Sequence, residues 1–358
     1  TVGHDALEKV LMQLNIPTSA ITNPVVSNLK IEGSCNVQFA LSPDGKEYFV
    51  TGVDPRVSRT SALVSKATGY RIAYVSAKIA LGKSLFEIEN DVTGCTTACN
   101  EPAMDYCAVK FPKWSFESFS EANRTLGTMM KATGESLTIG TGFELAFMKG
   151  IRSANKNHLP RLEQFENITD DELKVAISNS DDTRIFAVYE AIYRDFSIDE
   201  LNEITKIDKW FLNKLKNIAD TEKLVKKDNS KSAYEYAKNM GFTDFAIEQI
   251  TGEKSEYSLS AVFNSVDTCS AEFDAQKPYF YSVFGADNEA EIFIDANKTD
   301  KKKVLVVVNK IDRPIVYFLW GRPAQSKISM LTNPKHLILP KHRNEIHAHC
   351  LCRHEEIA

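Results

Sequence analysis

Asn36, Gln38, Asp54, Arg56 and Arg59 lie close together in the chain and combine side-chain oxygens with fixed positive charge. Amide and carboxylate oxygens suit a hard cation such as Mg²⁺, which takes oxygen ligands and bridges nucleotide phosphates. Guanidinium groups beside such a cation supply paired donors and permanent charge for phosphoryl oxygens. These residue types point to metal-assisted phosphoryl chemistry, on condition that the backbone gathers them on one face. A solvated sheet face with no such role is the competing reading.

Two strands must meet that condition. Ser34–Ser42 alternates, with Val37, Phe39 and Leu41 apolar and Asn36 and Gln38 directed the other way; this is the pattern of a half-buried strand. Ser42-Pro43-Asp44-Gly45 supplies turn chemistry, proline fixing φ and glycine accepting positive φ. Lys46–Val53 follows as the second strand of an antiparallel hairpin. With Ser42 and Lys46 closing a three-residue loop, Gln38 lies opposite Val50 and Asn36 opposite Gly52. Asn36, Gln38, Gly52 and Asp54 then share a polar face, while Val37, Phe39, Leu41, Phe49 and Val53 face a core. Tyr70–Leu81 reads as a helix ended by Gly82, and Met104–Phe111 as a further strand.

From about Asn167 the period becomes helical. Ile185, Val188, Tyr189 and Ile192 form one face of a helix over Thr183–Phe196. Ser197 with Glu200 has the spacing of a capping box. Ile207, Phe211, Leu215 and Ile218 stripe a longer helix with a lysine-rich end, which the helix dipole favours. Lys231–Met240 and Thr243–Thr251 each stop at a glycine, Gly241 and Gly252. Strand character is nearly absent until Ala271, so this is an α block. Past Asp287, only Lys303–Val308 reads as β, and no complete domain is expected there.

The 358 residues suggest two or three domains, and 43% hydrophobic with 25% charged residues is ordinary for a globular protein. A net charge of −5 gives no basic footprint for nucleic acid. Cys35, Cys95, Cys99, Cys107, Cys269, Cys350 and Cys352 form no small-domain framework and read as reduced thiols of a cytoplasmic protein. No apolar run approaches the roughly 18–20 residues that span a bilayer, so no membrane role is expected. The polar start at Thr1 shows no signal peptide, and the missing methionine suggests a true start upstream.

The run Asp54-Pro-Arg-Val-Ser-Arg-Thr-Ser-Ala-Leu-Val-Ser-Lys-Ala-Thr-Gly69 closely resembles the NPRVSRSSALASKATG segment of carbamoyl phosphate synthetase large chains. The likeness continues through Ile72–Gly82, Glu101–Tyr106, Lys110–Pro112 and Met130–Glu135. It extends into the helical block at Thr205–Leu212, Gly241–Asp244 and Val266–Phe273, covering roughly residues 30–285. The resemblance implies an α+β chain. Residues 1–153 would form the C-terminal part of an ATP-grasp unit, an antiparallel sheet with helices. Residues 154–287 would form an all-helical oligomerisation domain, and 288–358 the start of a second unit or an unrelated tail.

It further implies an ATP-dependent ligase that makes carboxyphosphate from bicarbonate and then carbamoyl phosphate, feeding arginine or pyrimidine synthesis. A glutaminase small chain or domain would supply the ammonia. Mg²⁺ (or Mn²⁺) would serve with ATP, held by Gln38 and Asp54. Asn36 and Gln38 would face the nucleotide, and Arg56 and Arg59 its phosphates. The nucleotide-facing first half of such a unit is not in the sequence, so the chain alone is expected to be inactive. A degenerate, non-catalytic module that self-associates through its helical domain is the alternative.

The departures from the family bear on that choice. The family's metal-ligating glutamate falls on Gly52, its metal-binding asparagine on Asp54, and an arginine on Thr141. Asp54 restores a carboxylate two residues away on the same face, which reads either as compensation or as decay. The glycine-rich opening of the family's second unit is absent after Lys303–Val306. Gly140-Thr-Gly142 is too short for a dinucleotide loop. Cys95 and Cys99 read as structural thiols. His347, His349, Cys350, Cys352 and His354 offer zinc-type ligands, but ligands this bunched, with no core around them, argue against a structural site. Trp210 and Phe211 read as core or interface residues.

Overall fold

The computed structural model describes residues 25–42, 47–119, 121–127, 129–155, 157–269, 272–273 and 275–296, with two short paired strands, Val307–Asn309 and Pro314–Val316. The Pro43–Gly45 turn, the start of the expected strand at Lys303 and the His347–His354 run lie outside the described residues. The chain divides into two compact units. One holds the residues up to Tyr257 together with Val266–Gln276; the other holds Ser258–Ser265 and the residues from Lys277 on.

After a short helical segment at residues 25–29, the first unit forms an antiparallel hairpin of β1 (Asn36–Leu41) and β2 (Tyr48–Asp54). Helix α1 (Arg59–Thr68) follows directly and ends at Gly69, whose φ of 73° is the left-handed conformation glycine adopts without strain. Helix α2 (Ile72–Ala80) packs Val75 against Ile88 and Ala98, with Tyr70 and Ile79 at the rim. The Tyr70 hydroxyl donates to the Ala98 carbonyl at 2.7 Å and fixes that loop.

Strands β3 (Cys107–Lys113) and β4 (Gly134–Gly140) pair antiparallel from Cys107↔Gly140 to Lys113↔Gly134. Helix α3 (Phe143–Asn155) lies on this pair, with the Phe111 and Phe147 rings 5.6 Å apart. A Cβ at Gly150 would stand 2.9 Å from the Phe111 ring, and one at Gly140 would stand 2.8 Å from the Ala146 nitrogen. Gly140 is therefore required by close packing of helix on strand.

The helical block runs through α4 (Glu163–Glu166), α5 (Asp170–Ser178), α6 (Arg184–Tyr193), α7 (Ile198–Thr205), α8 (Lys209–Lys227), α9 (Lys231–Asn239) and α10 (Asp244–Thr251). Helix α6 is buried continuously from Phe186 to Ile192, so it is enclosed rather than one-faced. Helix α8 buries Leu212, Leu215, Ile218 and Val225 along one side. Each contributes about 1.5–3 kcal/mol of burial free energy.

The caps are largely those expected. Thr169 and Glu172 form a full capping box. Ser197 accepts from the Glu200 amide, but the Glu200 carboxylate pairs with Lys174 at 2.9 Å instead of returning to Ser197, so only half of that box forms. Thr243 caps α10, and Gly252 closes it at φ 78°. A side-chain N-cap of this kind contributes about 1 kcal/mol.

Beyond α10 the chain is no longer helical. Strand β5 (Val262–Ser265) pairs with β6 (Phe280–Val283), and with α11 (Glu289–Ala296) they belong to the second unit. The sequence pointed to helix alone before Ala271; a four-residue strand is too short to show a period. Between the strands, Val266–Gln276 returns to the first unit. There the Gln276 amide donates to Val92 at 2.8 Å, and the Thr268 hydroxyl donates to Thr68 at 3.1 Å. Helices with small antiparallel sheets make this an α+β protein.

Candidate functional site

The hairpin register differs from the expected one. Ser42 and Glu47 close the connection, the Ser42 amide donating to Glu47 at 2.8 Å and the Glu47 amide to the Ser42 hydroxyl at 2.9 Å. A bulge then shifts the ladder between Gln38 and Phe39 and leaves Thr51 unopposed. Gln38 consequently faces Gly52 instead of Val50, and Asn36 faces Asp54 instead of Gly52. The polar quartet survives, now as two direct cross-strand pairs. Phe49 does not face the core: it pairs with Ala40 on the polar side and is 59% exposed, and Val50 takes the place opposite Phe39.

The charges around this face are open to solvent. Asp54 Oδ1 stands 4.0 Å from Arg56 Nη2, with both side chains well exposed, so the pair contributes little to stability. The Arg56 amide turns back onto the Asp54 carbonyl at 2.9 Å and sets the exit from β2. Arg59 stands exposed at the first position of α1, where the Ser61 hydroxyl accepts from the Ser58 amide at 3.1 Å. The face thus holds one carboxylate and two carboxamides, with two guanidinium groups on the chain just beyond. Among the described residues, no group of three or more His, Cys, Asp or Glu side chains is placed to hold a metal.

The other electrostatic feature is buried and closed. Arg161 Nη1 donates to Glu222 Oε1 at 2.9 Å, and its Nη2 stands 3.0 Å from Glu190 Oε2. The Tyr189 hydroxyl donates to Glu222 Oε2 at 2.8 Å. Arg194 bonds Glu190 at 3.0 Å and Asp170 at 3.1 Å, and donates to the Phe165 and Ile168 carbonyls. Burial works against the charge on Arg161, but the Glu222 and Glu190 carboxylates outweigh it and hold its pKa above the usual value. Burial, and then the charge of Glu222, push the Tyr189 phenol well up. Its members serve one another, so this network is architecture.

Two lysines are spent on β4. Lys66 and Lys149 each donate to a β4 carbonyl at 2.9 Å, Leu137 and Ile139 respectively. Burial, with Arg152 nearby, brings the Lys149 ammonium down to about 7. Cys95 and Cys99 are free thiols. Trp210 is half-exposed and stacks edge-on with Phe143 at 5.5 Å and Phe211 at 4.9 Å. Thr141 lies exposed between β4 and α3.

Two family models match the chain in succession. Residues 14–88 match the carbamoyl-phosphate synthase L chain, ATP binding domain, and residues 135–264 match the carbamoyl-phosphate synthetase large chain, oligomerisation domain. The chain is 48% identical over 301 residues to the carbamoyl phosphate synthase large chain of Lachnoclostridium phytofermentans, covering 81% of this chain and 28% of that protein. The large chain of Thermoanaerobacter sp. is 47% identical over 278 residues, 75% of this chain and 26% of that protein. That of Clostridium acetobutylicum is 47% identical over 296 residues, 79% of this chain and 27% of its own length.

The chain belongs to the carbamoyl phosphate synthase large-chain family. It spans little more than a quarter of the length of the curated relatives it matches. The ATP-binding match takes in the hairpin, α1 and α2, and the oligomerisation match takes in α3 to α10. The polar quartet therefore sits inside the part matched to the family's ATP-binding domain, and the buried arginine–carboxylate network inside the part matched to its oligomerisation domain. Sequence reading missed the network. The i,i+4 spacing of Glu190 and Arg194 was available to it, but the Arg161–Glu222 bond joins residues 61 apart.

Proposed function

We propose that this chain is a portion of an ATP-dependent ligase of the carbamoyl phosphate synthase type. Residues 1–153 provide the C-terminal part of the ATP-grasp unit that phosphorylates bicarbonate. Of the expected helical domain, 154–287, the part up to Tyr257 provides the self-associating helices, since β5 and β6 belong to the second unit. Residues 288–358 provide the start of a second unit or an unrelated tail, with no complete domain. The observation that supports this most is the order of the two family matches at 48% identity over 81% of the chain. In the whole protein, ammonia from a glutaminase partner would attack carboxyphosphate, and a second unit would phosphorylate the resulting carbamate. A cytoplasmic setting belongs to this reading as an enzyme of small-molecule synthesis. No described helix is long and apolar enough to cross a membrane.

Within this reading Arg56 and Arg59 face the phosphates, where guanidinium charge stabilises the transferring group. Asn36 and Gln38 orient the nucleotide side. Gln38 and Asp54 are the oxygens that would be offered to a Mg²⁺ (or Mn²⁺) ion arriving with the nucleotide phosphates, whose charge it would neutralise. Mg²⁺ is usually held by one or two carboxylates together with substrate phosphates. One carboxylate and a carboxamide meet that only at its lower limit.

The reading is tested by a chimera. The matched 301-residue stretch replaces its counterpart in the Lachnoclostridium phytofermentans large chain, with Gly52→Glu included. Bicarbonate-dependent ATP hydrolysis is expected. An assembled chimera without it sinks the reading. Sedimentation velocity on the 358-residue chain is expected to show self-association at tens of micromolar.

The degenerate module is kept as a second reading because Gly52 removes a side chain from the polar face. It predicts self-association, with no ATP turnover in the same chimera made with Gly52 retained.

A further inference from the structure

We infer that the polar face of the β1–β2 hairpin holds no divalent cation of its own, because it is one carboxylate short at position 52 and Asp54 does not stand in for it. This rests on reading the hairpin as nucleotide-facing and adds what this particular chain has lost there.

The register carries the argument. Gly52 is directly opposite Gln38, and Asp54 directly opposite Asn36. Same-face neighbours along a strand are about 6.6–6.8 Å apart, so a carboxylate at 54 starts one cross-strand pair away from the vacated place. Asp54 Oδ1 also lies 4.0 Å from the Arg56 guanidinium, which offsets the negative charge that would draw a dication. The total charge on the face survives the exchange of an acid at 52 for one at 54, but its position does not. No group of three or more metal-ligating side chains makes up the difference among the described residues.

The vacancy can be refilled. Gly52 is not among the positive-φ glycines, so its backbone accepts any L-residue. A Cβ built there meets Gln38 Oε1 at 3.5 Å and Gln38 Cδ at 3.8 Å, ordinary van der Waals contact. A glutamate at 52 therefore grows from the strand beside the Gln38 carbonyl oxygen without displacing backbone. That places a carboxylate and a neutral oxygen side by side, and Asp54 supplies a second carboxylate at the edge.

The test is Mn²⁺ binding to the full chain, followed by loss of the free-ion electron paramagnetic resonance signal. Nucleotide is left out, so the result does not depend on whether the chain handles ATP. The wild-type chain and Asp54→Asn are expected to give the same weak, non-saturating response. Gly52→Glu should bind at least about tenfold tighter, the effect of about 1.4 kcal/mol. Gly52→Gln, equal in size but uncharged, should not gain, and Gln38→Ala in the Gly52→Glu background should lose part of the gain. Far-ultraviolet circular dichroism checks that each variant remains folded. Saturable binding by the wild type that Asp54→Asn removes would overturn the proposal in favour of a relocated site. No gain in a folded Gly52→Glu chain would overturn it as well, since position 52 would then not be what the face lacks.

Discussion

The hairpin and the helical block hold their charges in opposite ways. On the hairpin, Asp54 and Arg56 face each other across 4.0 Å with both side chains in water. In the block, Glu190, Glu222 and Tyr189 are buried and Arg161, 20% exposed, is joined to both carboxylates by ion pairs. A pair in water costs little to break, because water replaces either partner. A buried set cannot lose a member without leaving a charge in low dielectric. The first arrangement is open to solvent and to substitution alike; the second fixes how α6 and α8 pack and tolerates little change. Gly52 lies in the open arrangement.

The sharpest way to break this contrast is Glu222→Ala, which removes one of the two buried carboxylates holding the Arg161 guanidinium and leaves the Tyr189 hydroxyl without its acceptor. Denaturant unfolding followed in the helical signal should lose about 3–5 kcal/mol. A loss under about 1 kcal/mol would show that the network is not what holds the block.

Gly241→Ala should come next, at about 1–3 kcal/mol, measured the same way. Its φ is 98°, and an added Cβ would stand 2.8 Å from Met148 Cβ, so α3 and the turn before α10 must separate. An unchanged midpoint would mean that the contact gives freely.

The buried Lys149 adds a pH dependence of intermediate size. Its pKa falls from 10.5 in the open chain to about 7 in the folded one. Between those values the unfolded chain binds the extra proton, so stability should rise as pH increases through that window. The slope from one such group is at most about 1.4 kcal/mol per pH unit. Lys149→Met should flatten it, and an identical slope in the variant would assign the effect to other groups. Asp54→Asn should be the smallest change, within about 0.5 kcal/mol of the parent chain. A loss there comparable to that of Glu222→Ala would erase the distinction between the two regions.

How much was legible in the sequence follows the same division. The polar face of the hairpin was readable because strand side chains alternate with period two, and Asn36, Gln38, Gly52 and Asp54 do share it. Who faces whom was not, because Ser42 closes onto Glu47 and the bulge at Thr51 takes up a residue. That shift also put Phe49 on the wrong side of the expected pattern. The helices and most caps were readable from local spacing, as at Ser197, Thr243 and Gly252. The enclosure of α6 and the partners of Arg161 were not, since they come from packing between segments far apart in the chain.

The return of Val266–Gln276 to the first unit sets an order on folding. The α6–α10 helices are joined by short connections and make mostly near-neighbour contacts, which form fast. The loops around α1 and α2 are different, because the Thr268 hydroxyl closes on Thr68 across 200 residues and Gln276 closes on Val92. On a ribosome, which releases chain from the N-terminus onward, the helical block can assemble while the α1–α2 region still waits for its last partner. The part of the unit synthesised first is therefore completed last, once Thr268 and Gln276 are there to close on Thr68 and Val92.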